Sequence, residues 1–257
     1  MNAERPAPSA FAPDRTRILS VILLILTALT GVIDAESFLS LGHVFTANMT
    51  GNVVFIAFAC AGVPGLSVAR SGTALLGFLT GAALGAGMAR GIDRTKATRR
   101  LAAVLFIQAT SLLVAATVAI GSPGRVADVQ THLYLVIALT SLAMGIQNAT
   151  AIKLAVSGLS PNVLTTALTW VAGESLLAGG HDPVWRRRFA SVATMFAGAL
   201  LGAWLWRFSD VWPLAFCALM SAVCSLAILG FTRRESSPSS LGLHGSADGS
   251  GTPTCRG

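Results

Sequence analysis

Residues 45–52 read FTANMTGN, and this polar stretch decides how the chain is interpreted because everything around it is apolar. SLGHV precedes it and VVFIAFA follows it directly. Irregular backbone and polar side chains persist at membrane depth only where protein or a water-filled cavity satisfies their hydrogen bonds. The stretch is therefore the first candidate for a site inside a membrane protein, with four polar side chains to consider: Thr46, Asn48, Thr50 and Asn52.

The composition supports a membrane protein. The 257 residues are 53% hydrophobic and only 11% charged, with a mean hydropathy of +0.69. These values and the long apolar runs are typical of a polytopic α-helical membrane protein and exclude a soluble one. The net charge of +7 comes from short clusters of Lys and Arg between apolar segments. Such clusters hold loops on the cytoplasmic side, so we expect the lipid bilayer as a partner and no nucleic acid.

Eight apolar segments are candidates for membrane helices, each near the roughly 20 residues that a helix needs to cross. Residues 1–17, rich in Pro and Ala, and residues 232–257, rich in Ser and Gly, are expected to be disordered tails. The segments cover residues 18–41, 44–62, 71–89, 101–120, 132–155, 163–178, 189–206 and 211–231.

The distribution of basic residues favours six crossing helices. If all eight segments cross with the N-terminus inside, 11 basic residues lie inside and 7 outside. If segments 44–62 and 163–178 enter and leave on the same side, the split becomes 15 to 3. The positive-inside rule prefers the second arrangement. We therefore expect six crossing helices, two re-entrant or broken helices that do not span, and both termini in the cytoplasm.

An internal repeat leads to the same arrangement. Two membrane repeats, residues 18–120 and 132–231, would each contain three crossing helices, and an odd number inverts the second copy relative to the first. Inverted repeats are common in secondary transporters. The repeat rests on three pairs: GVIDA (31–35) with GIQNA (145–149), VFTANMTG (44–51) with VLTTALTW (163–170), and GAALGAGMAR (81–90) with GALLGAWLWR (198–207).

The two short helices would point their N-termini at each other near the bilayer midplane. Their free N–H groups and partial positive charge suit an anion or another polar solute. Asp34 adds an ionisable group inside a span, which commonly marks a transport pathway, although helix packing or capping is the alternative. Glu36 is expected to be solvated near the outer interface. The predicted substrate-binding residues are Asp34, Thr46, Asn48, Thr50, Asn52, Asn148, Thr165, Thr166 and Thr169.

The motifs GVIDAESF, VFTANMTGN and GIQNA resemble the YoaK family of bacterial inner-membrane proteins, a family of unknown function. The likeness covers most of residues 18–231. It implies a multi-helix protein of the bacterial inner membrane and no particular activity. Thr169 and Trp170 stand where we expect a Thr-Gly pair in the second half of the family, which weakens the symmetry of the two sites.

Three functions are compatible with these features. The leading hypothesis is a secondary transporter or permease for a small solute, with anions among the candidates, bound near the midplane between the inverted repeats. A structural or accessory membrane protein is the alternative. A membrane enzyme using Asp34, Glu36 and His43 is disfavoured, because no metal triad, nucleophile elbow or phosphate loop is recognisable. We expect no enzymatic activity, no cofactor and no metal site.

Overall fold

The structure is a computed structural model that describes residues 13–88, 94–122, 124–154 and 185–235. These residues form seven α-helices and one 3-10 turn, and no strand occurs among them. The helices are α1 (Pro13–Ser40), α2 (Met49–Cys60), α3 (Val68–Met88), α4 (Arg94–Ile120), α5 (Gln130–Leu154), α6 (Trp185–Trp206) and α7 (Val211–Glu235), with the 3-10 turn at Val126–Asp128.

Six of these helices, all except α2, are long and apolar enough to cross a membrane. α2 has 12 residues, so it is about 18 Å long, against ~30 Å of hydrocarbon. Large apolar side chains lie on the outside of the bundle, such as Phe196, which is 71% exposed. Exposure of this kind suits contact with lipid. The prediction of a polytopic all-α membrane protein is confirmed.

The helices extend beyond the apolar segments. α1 begins at Pro13 instead of residue 18, α4 begins at Arg94 instead of residue 101, and α7 continues to Glu235. Arg, Lys and Glu are good helix formers, so a helix continues where the apolar run has ended. The predicted segment 163–178 and most of both predicted tails lie outside the described residues.

Several helix ends contact one another at one end of the bundle, which we call the α2 end. Ser40, the last residue of α1, donates a hydrogen bond to Asp210 Oδ1 (3.3 Å) just before α7. Arg125, which precedes α5, forms an ion pair with the same oxygen (3.3 Å). Gly42 lies against the guanidinium group of Arg70 in α3. Since α1 ends here and α3 begins here, α2 enters and leaves at the same end.

The opposite end carries most of the positive charge, and we call it the basic end. Of the described basic residues, only Arg70, Arg125 and Arg207 belong to the α2 end. The others lie in the helix ends that form the basic end: Arg15, Arg17, Arg94, Lys96, Arg99, Arg100, Lys153, Arg186, Arg187, Arg188, Arg233 and Arg234.

α1 and α6 pack closely and run parallel. A Cβ atom on Gly198 would lie 2.9 Å from the Cα of Ala28, and a Cβ on Gly202 would lie 3.1 Å from the Cβ of Ala35. Residue numbers rise together along this seam, which defines the parallel direction. Glycine is required there because any side chain would push the two backbones apart.

α3 and α5 form a second parallel pair with the same construction. A Cβ on Gly81 would lie 2.9 Å from the carbonyl carbon of Leu142, and a Cβ on Gly85 would lie 3.3 Å from the Cβ of Ala149. The small-residue spacing in the sequence predicts such close packing. α4 and α7 form an antiparallel third pair, in which Ser225 donates a hydrogen bond to the carbonyl of Ala102 (2.7 Å).

Candidate functional site

The chain turns back sharply after α1. Gly42 (φ 79°) and His43 (φ 62°) adopt left-handed conformations, and the N–H of His43 bonds the carbonyl of Phe38 (3.2 Å). This conformation is easy for glycine and uncommon for histidine. The turn directs residues 44–48 back along α1 instead of away from the bundle.

The returning chain, residues 44–48, contacts Asp34 of α1. Its Oδ1 accepts a hydrogen bond from the backbone N–H of Ala47 (3.0 Å). Asp34 lies six residues before the end of α1, which places it about 9 Å below that end. It is buried, and its Oδ2 has no hydrogen-bond partner among the described residues, like the buried Thr46 Oγ1. α2 therefore starts inside the bundle, next to a buried carboxyl group.

Asn52 closes the turn on the other side. Its Oδ1 accepts from the backbone N–H of Phe45 (3.0 Å), and its Nδ2 donates to the backbone carbonyl of the same residue. The side-chain amide of Asn52 thus bonds both backbone groups of Phe45, as a neighbouring strand or helical turn otherwise would. The rings of Phe38, Phe45 and Phe55 stack beside it, with centroids 5.4 and 5.5 Å apart. Asn52 is buried and holds the re-entrant backbone in place.

The side chains of Asn48 and Thr50 face away from the buried interior. Both are exposed, and Asn48 precedes the first residue of α2 without making a side-chain capping bond. Alternation along the stretch predicts that only part of the polar set can face one cavity. The structure divides the stretch accordingly, with Thr46 and Asn52 buried and Asn48 and Thr50 open.

Polar groups of α5 lie at the centre of the bundle. Gln147 Nε2 donates to Thr30 Oγ1 of α1 (3.3 Å), which joins the two predicted repeats. Gln147 Oε1 and the Oδ1 of half-buried Asn148 have no partner among the described residues. Gln108 of α4 is also buried with both polar atoms unpartnered in the described part of the chain. The remaining predicted residues, Thr165, Thr166 and Thr169, lie outside the described residues.

Glu36 differs from its prediction. It is fully buried, whereas the sequence analysis expects a solvated residue near the interface. The helix continues past it to Ser40, and the 207–210 connection with Asp210 lies over that end of α1. The sequence contains a signal that could have identified the surroundings of Glu36 in advance. Arg125 and Asp210 both lie in connections on the same predicted side of the membrane.

Two grooves are visible on the outside of the bundle. One, of about 640 Å³, is lined by apolar residues of α1 and α7, and another, of about 360 Å³, by residues of α1, α6 and α7. Neither contains a predicted site residue. Their apolar walls suit lipid chains rather than a polar solute.

The arrangement around Asp34 defines what could bind there. The described residues contain no group of three His, Cys, Asp or Glu side chains that could hold a metal ion. The N-terminus of α2 offers backbone N–H donors, but the carboxyl group of Asp34 already occupies that position. A second anion would be repelled by a charged carboxylate. Neutral polar groups and cations meet no such repulsion.

Comparisons with known proteins return one family and one close relative. A family model described as a protein of unknown function, DUF1275, matches residues 22–227. The UPF0700 transmembrane protein YoaK of Bacillus subtilis (strain 168) is 38% identical over 154 residues, which cover 60% of this chain. The match spans 64% of that relative's length. No solved structure matches.

Proposed function

The chain belongs to the DUF1275 family, and we propose that it is a secondary transporter or permease for a small polar solute bound beside the start of α2. The observation that carries the proposal is the contact between Asp34 and the backbone of Ala47 (3.0 Å). It brings a helix N-terminus and a buried carboxyl group together inside a spanning bundle. Broken helices at membrane depth are where secondary transporters bind substrates and coupling ions.

An inverted repeat is part of this proposal, and the helix seams support it. Adding 114 to an α1 residue number gives an α5 residue, and adding 117 to an α3 number gives an α6 residue. Under these shifts the Gly81–Leu142 and Gly85–Ala149 contacts correspond to Gly198–Ala28 and Gly202–Ala35. The same shifts relate Gly31, whose Cβ would lie 2.8 Å from Ala199 N, to Gly145, whose Cβ would lie 2.9 Å from Ala82 N.

The direction of the chain also supports inversion. The first copy sends its short helix in from the α2 end. In the second copy, α5 ends and α6 begins at the basic end. Two copies related in this way face opposite sides of the membrane. Alternating access in many transporters uses this kind of relation.

The distribution of charge supports an orientation. We assign the basic end to the cytoplasm of a bacterial inner membrane, because Lys and Arg favour the cytoplasmic side. The α2 end then faces outward. A solute would reach Asp34 from that side, where Asn48 and Thr50 are exposed.

The experiment uses the full-length protein in proteoliposomes and a panel of probes: inorganic cations, amino acids, polyols, sugars and carboxylates. Uptake of one probe class above that of empty liposomes is expected, with a loss of roughly tenfold or more in Asn48→Ala. Loss of one hydrogen bond to a solute accounts for such a factor. Thr80→Val is the matched control, because the exposed Thr80 hydroxyl donates to the carbonyl of Leu76 in its own helix (2.8 Å) and lies outside the proposed site.

A structural or accessory role is the second candidate, and a specific observation favours it. Asp34 and Asn52 both accept hydrogen bonds from the protein's own backbone. If no probe enters faster than in empty liposomes, and Asn48→Ala behaves like Thr80→Val throughout, the transport proposal is wrong and this role replaces it.

A further inference from the structure

A second buried carboxyl group lies two residues after Asp34, and no part of the function proposed above uses it. Glu36 is 0% exposed, and neither of its carboxyl oxygens accepts a hydrogen bond from the described residues. A charged carboxylate in an apolar interior without donors is strongly disfavoured, whereas a neutral carboxyl group is tolerated. The side chain therefore needs either an unseen counter-charge or a proton of its own.

The neighbours of Glu36 in the described part of the chain supply no counter-charge. Asp210 lies close enough to act on it electrostatically, and it carries the same sign of charge. Cys217 of α7 is the other ionisable neighbour, and it is buried as well. Arg125 forms its ion pair with Asp210, and its guanidinium lies 4.5 Å from the ring centroid of Trp206.

The other charged and imidazole groups described at this end have partners or are exposed. Arg70 donates to the carbonyl of Gly65 (2.7 Å). Asp34 is on the same helix and bonds Ala47, while Asp128 accepts from the backbone N–H of Arg125 (3.0 Å). His43 is exposed against Phe38, and the ring of His132 bonds Ser122 (2.8 Å). Arg207 is exposed.

Ser40 lies one helical turn after Glu36 on the same face of α1. It donates its one hydroxyl hydrogen to Asp210 Oδ1 (3.3 Å). The hydroxyl therefore has no hydrogen left for Glu36, but its oxygen can still accept one. A protonated Glu36 would complete a chain of donors that runs from Glu36 through Ser40 to Asp210.

The chain leads to the surface. Asp210 is 7% exposed at its side chain, while that of its partner Arg125 is 55% exposed. Asp210 Oδ2 also accepts from the backbone N–H of Val126 (3.1 Å), which holds the carboxylate in a fixed position. Water at the α2 end can thus exchange protons with Asp210.

We propose that Glu36 is a proton-binding site that exchanges its proton with the α2 end through Ser40 and Asp210. In release, the Glu36 O–H bond breaks as a proton moves to Ser40 Oγ, and the original Ser40 hydrogen moves to Asp210 Oδ1. Asp210 then passes one proton to water, so Glu36 is left as a carboxylate and the hydroxyl is restored. Uptake reverses these steps. Use of this proton as a coupling ion rests on the transport function proposed above, but its binding does not.

The test is infrared spectroscopy of the purified full-length protein in lipid nanodiscs, with no transport involved. A protonated carboxyl group gives a carbonyl band separate from the amide bands and shifts in D₂O. The band should disappear in Glu36→Gln, which keeps the shape of the neutral side chain, and remain in Asp34→Asn. A band that persists in Glu36→Gln overturns the proposal.

The relay is tested by the rate of the D₂O shift. Ser40→Ala should slow it by roughly tenfold or more, because one hydrogen-bonded step is lost. Ser37→Ala is the matched control, since this buried hydroxyl donates to the carbonyl of Asp34 in its own helix (3.2 Å) and lies outside the proposed relay. Equal rates in the two variants overturn the relay.

The proton site can still be tested if the Glu36→Gln variant fails to fold. If Glu36→Gln cannot be purified, Glu36→Asp takes its place, because Asp and Glu carboxyl groups absorb at different frequencies. A shifted band then supports Glu36 as the proton carrier, and an unshifted band assigns the proton to another carboxyl group. If the band follows Glu36 while no probe is transported, the proton site stands and the transport proposal fails.

Discussion

Asp34 shows how one residue links the fold to a candidate site. Its Oδ1 holds the backbone of Ala47 (3.0 Å), and its buried Oδ2 has no partner among the described residues. From the sequence, this aspartate could either cap a break or bind a solute. The geometry allows Oδ1 to cap the break while Oδ2 is left to bind a solute. Asn148, at the matching position of the second predicted repeat, retains an acceptor oxygen without the charge.

This division of roles predicts different effects for two substitutions of Asp34. Asp34→Ala should destabilise the protein by about 1–3 kcal/mol, because the N–H of Ala47 loses its buried acceptor. Asp34→Asn should cost less, since the amide oxygen can still accept that bond. Thermal unfolding of both variants in the same detergent measures the difference. Equal losses would show that the charge, and not the acceptor, secures the start of α2.

At the scale of elements, glycine seams hold two parallel helix pairs together, α1 with α6 and α3 with α5. Backbone contacts such as that of Gly81 with Leu142 leave no room for a side chain. Within the hydrocarbon core, packing of this kind replaces the hydrophobic effect as the force that joins helices. The spacing of these glycines is readable in the sequence. Which helix each glycine faces is not.

The seams predict that Gly81→Ala and Gly198→Ala destabilise the protein to a similar extent. Inserting a methyl group into a packed interface typically costs about 1–3 kcal/mol. Gly87→Ala in α3 is the control, because a Cβ atom there would meet no atom of the described residues within 4 Å. It should be neutral or slightly stabilising, as alanine favours helix over glycine. The three variants are compared by melting temperature, and a large loss in Gly87→Ala would contradict the assignment.

At the scale of the whole molecule, the connections at the two ends set the topology. α2 is too short to span and the chain returns to the end from which it came, so the six long helices of the described residues run between an α2 end and a basic end. The split of 15 basic residues to 3 expected from the sequence rests on this arrangement. The positive-inside rule predicts that the basic end lies in the cytoplasm.

Cysteine labelling tests that orientation. In a cysteine-free background, Val63→Cys and Arg99→Cys place single thiols at the α2 end and the basic end, both at exposed positions. A membrane-impermeant maleimide should label position 63 in intact cells and position 99 only in inside-out vesicles. Labelling in the opposite sense, with position 63 reached only in inside-out vesicles and position 99 in intact cells, would mean that α2 crosses the membrane and would remove the inverted arrangement.

Local sequence patterns were enough to predict the class of protein, the positions of the six long helices among the described residues, the break before α2 and membership of the family. These properties follow from local patterns, because hydropathy over about 20 residues measures the cost of leaving water. The motifs that resemble the YoaK family are equally local, and that resemblance is confirmed.

Only the tertiary structure decided which polar groups meet. Glu36 and Asp34 are two residues apart, yet one lies beside Asp210 and the other holds Ala47. The bond between Ser40 and Asp210 joins residues 170 positions apart. Such pairings depend on how each helix is rotated and on which helix lies next to it. Packing between distant segments sets both, and no pattern within one segment records it.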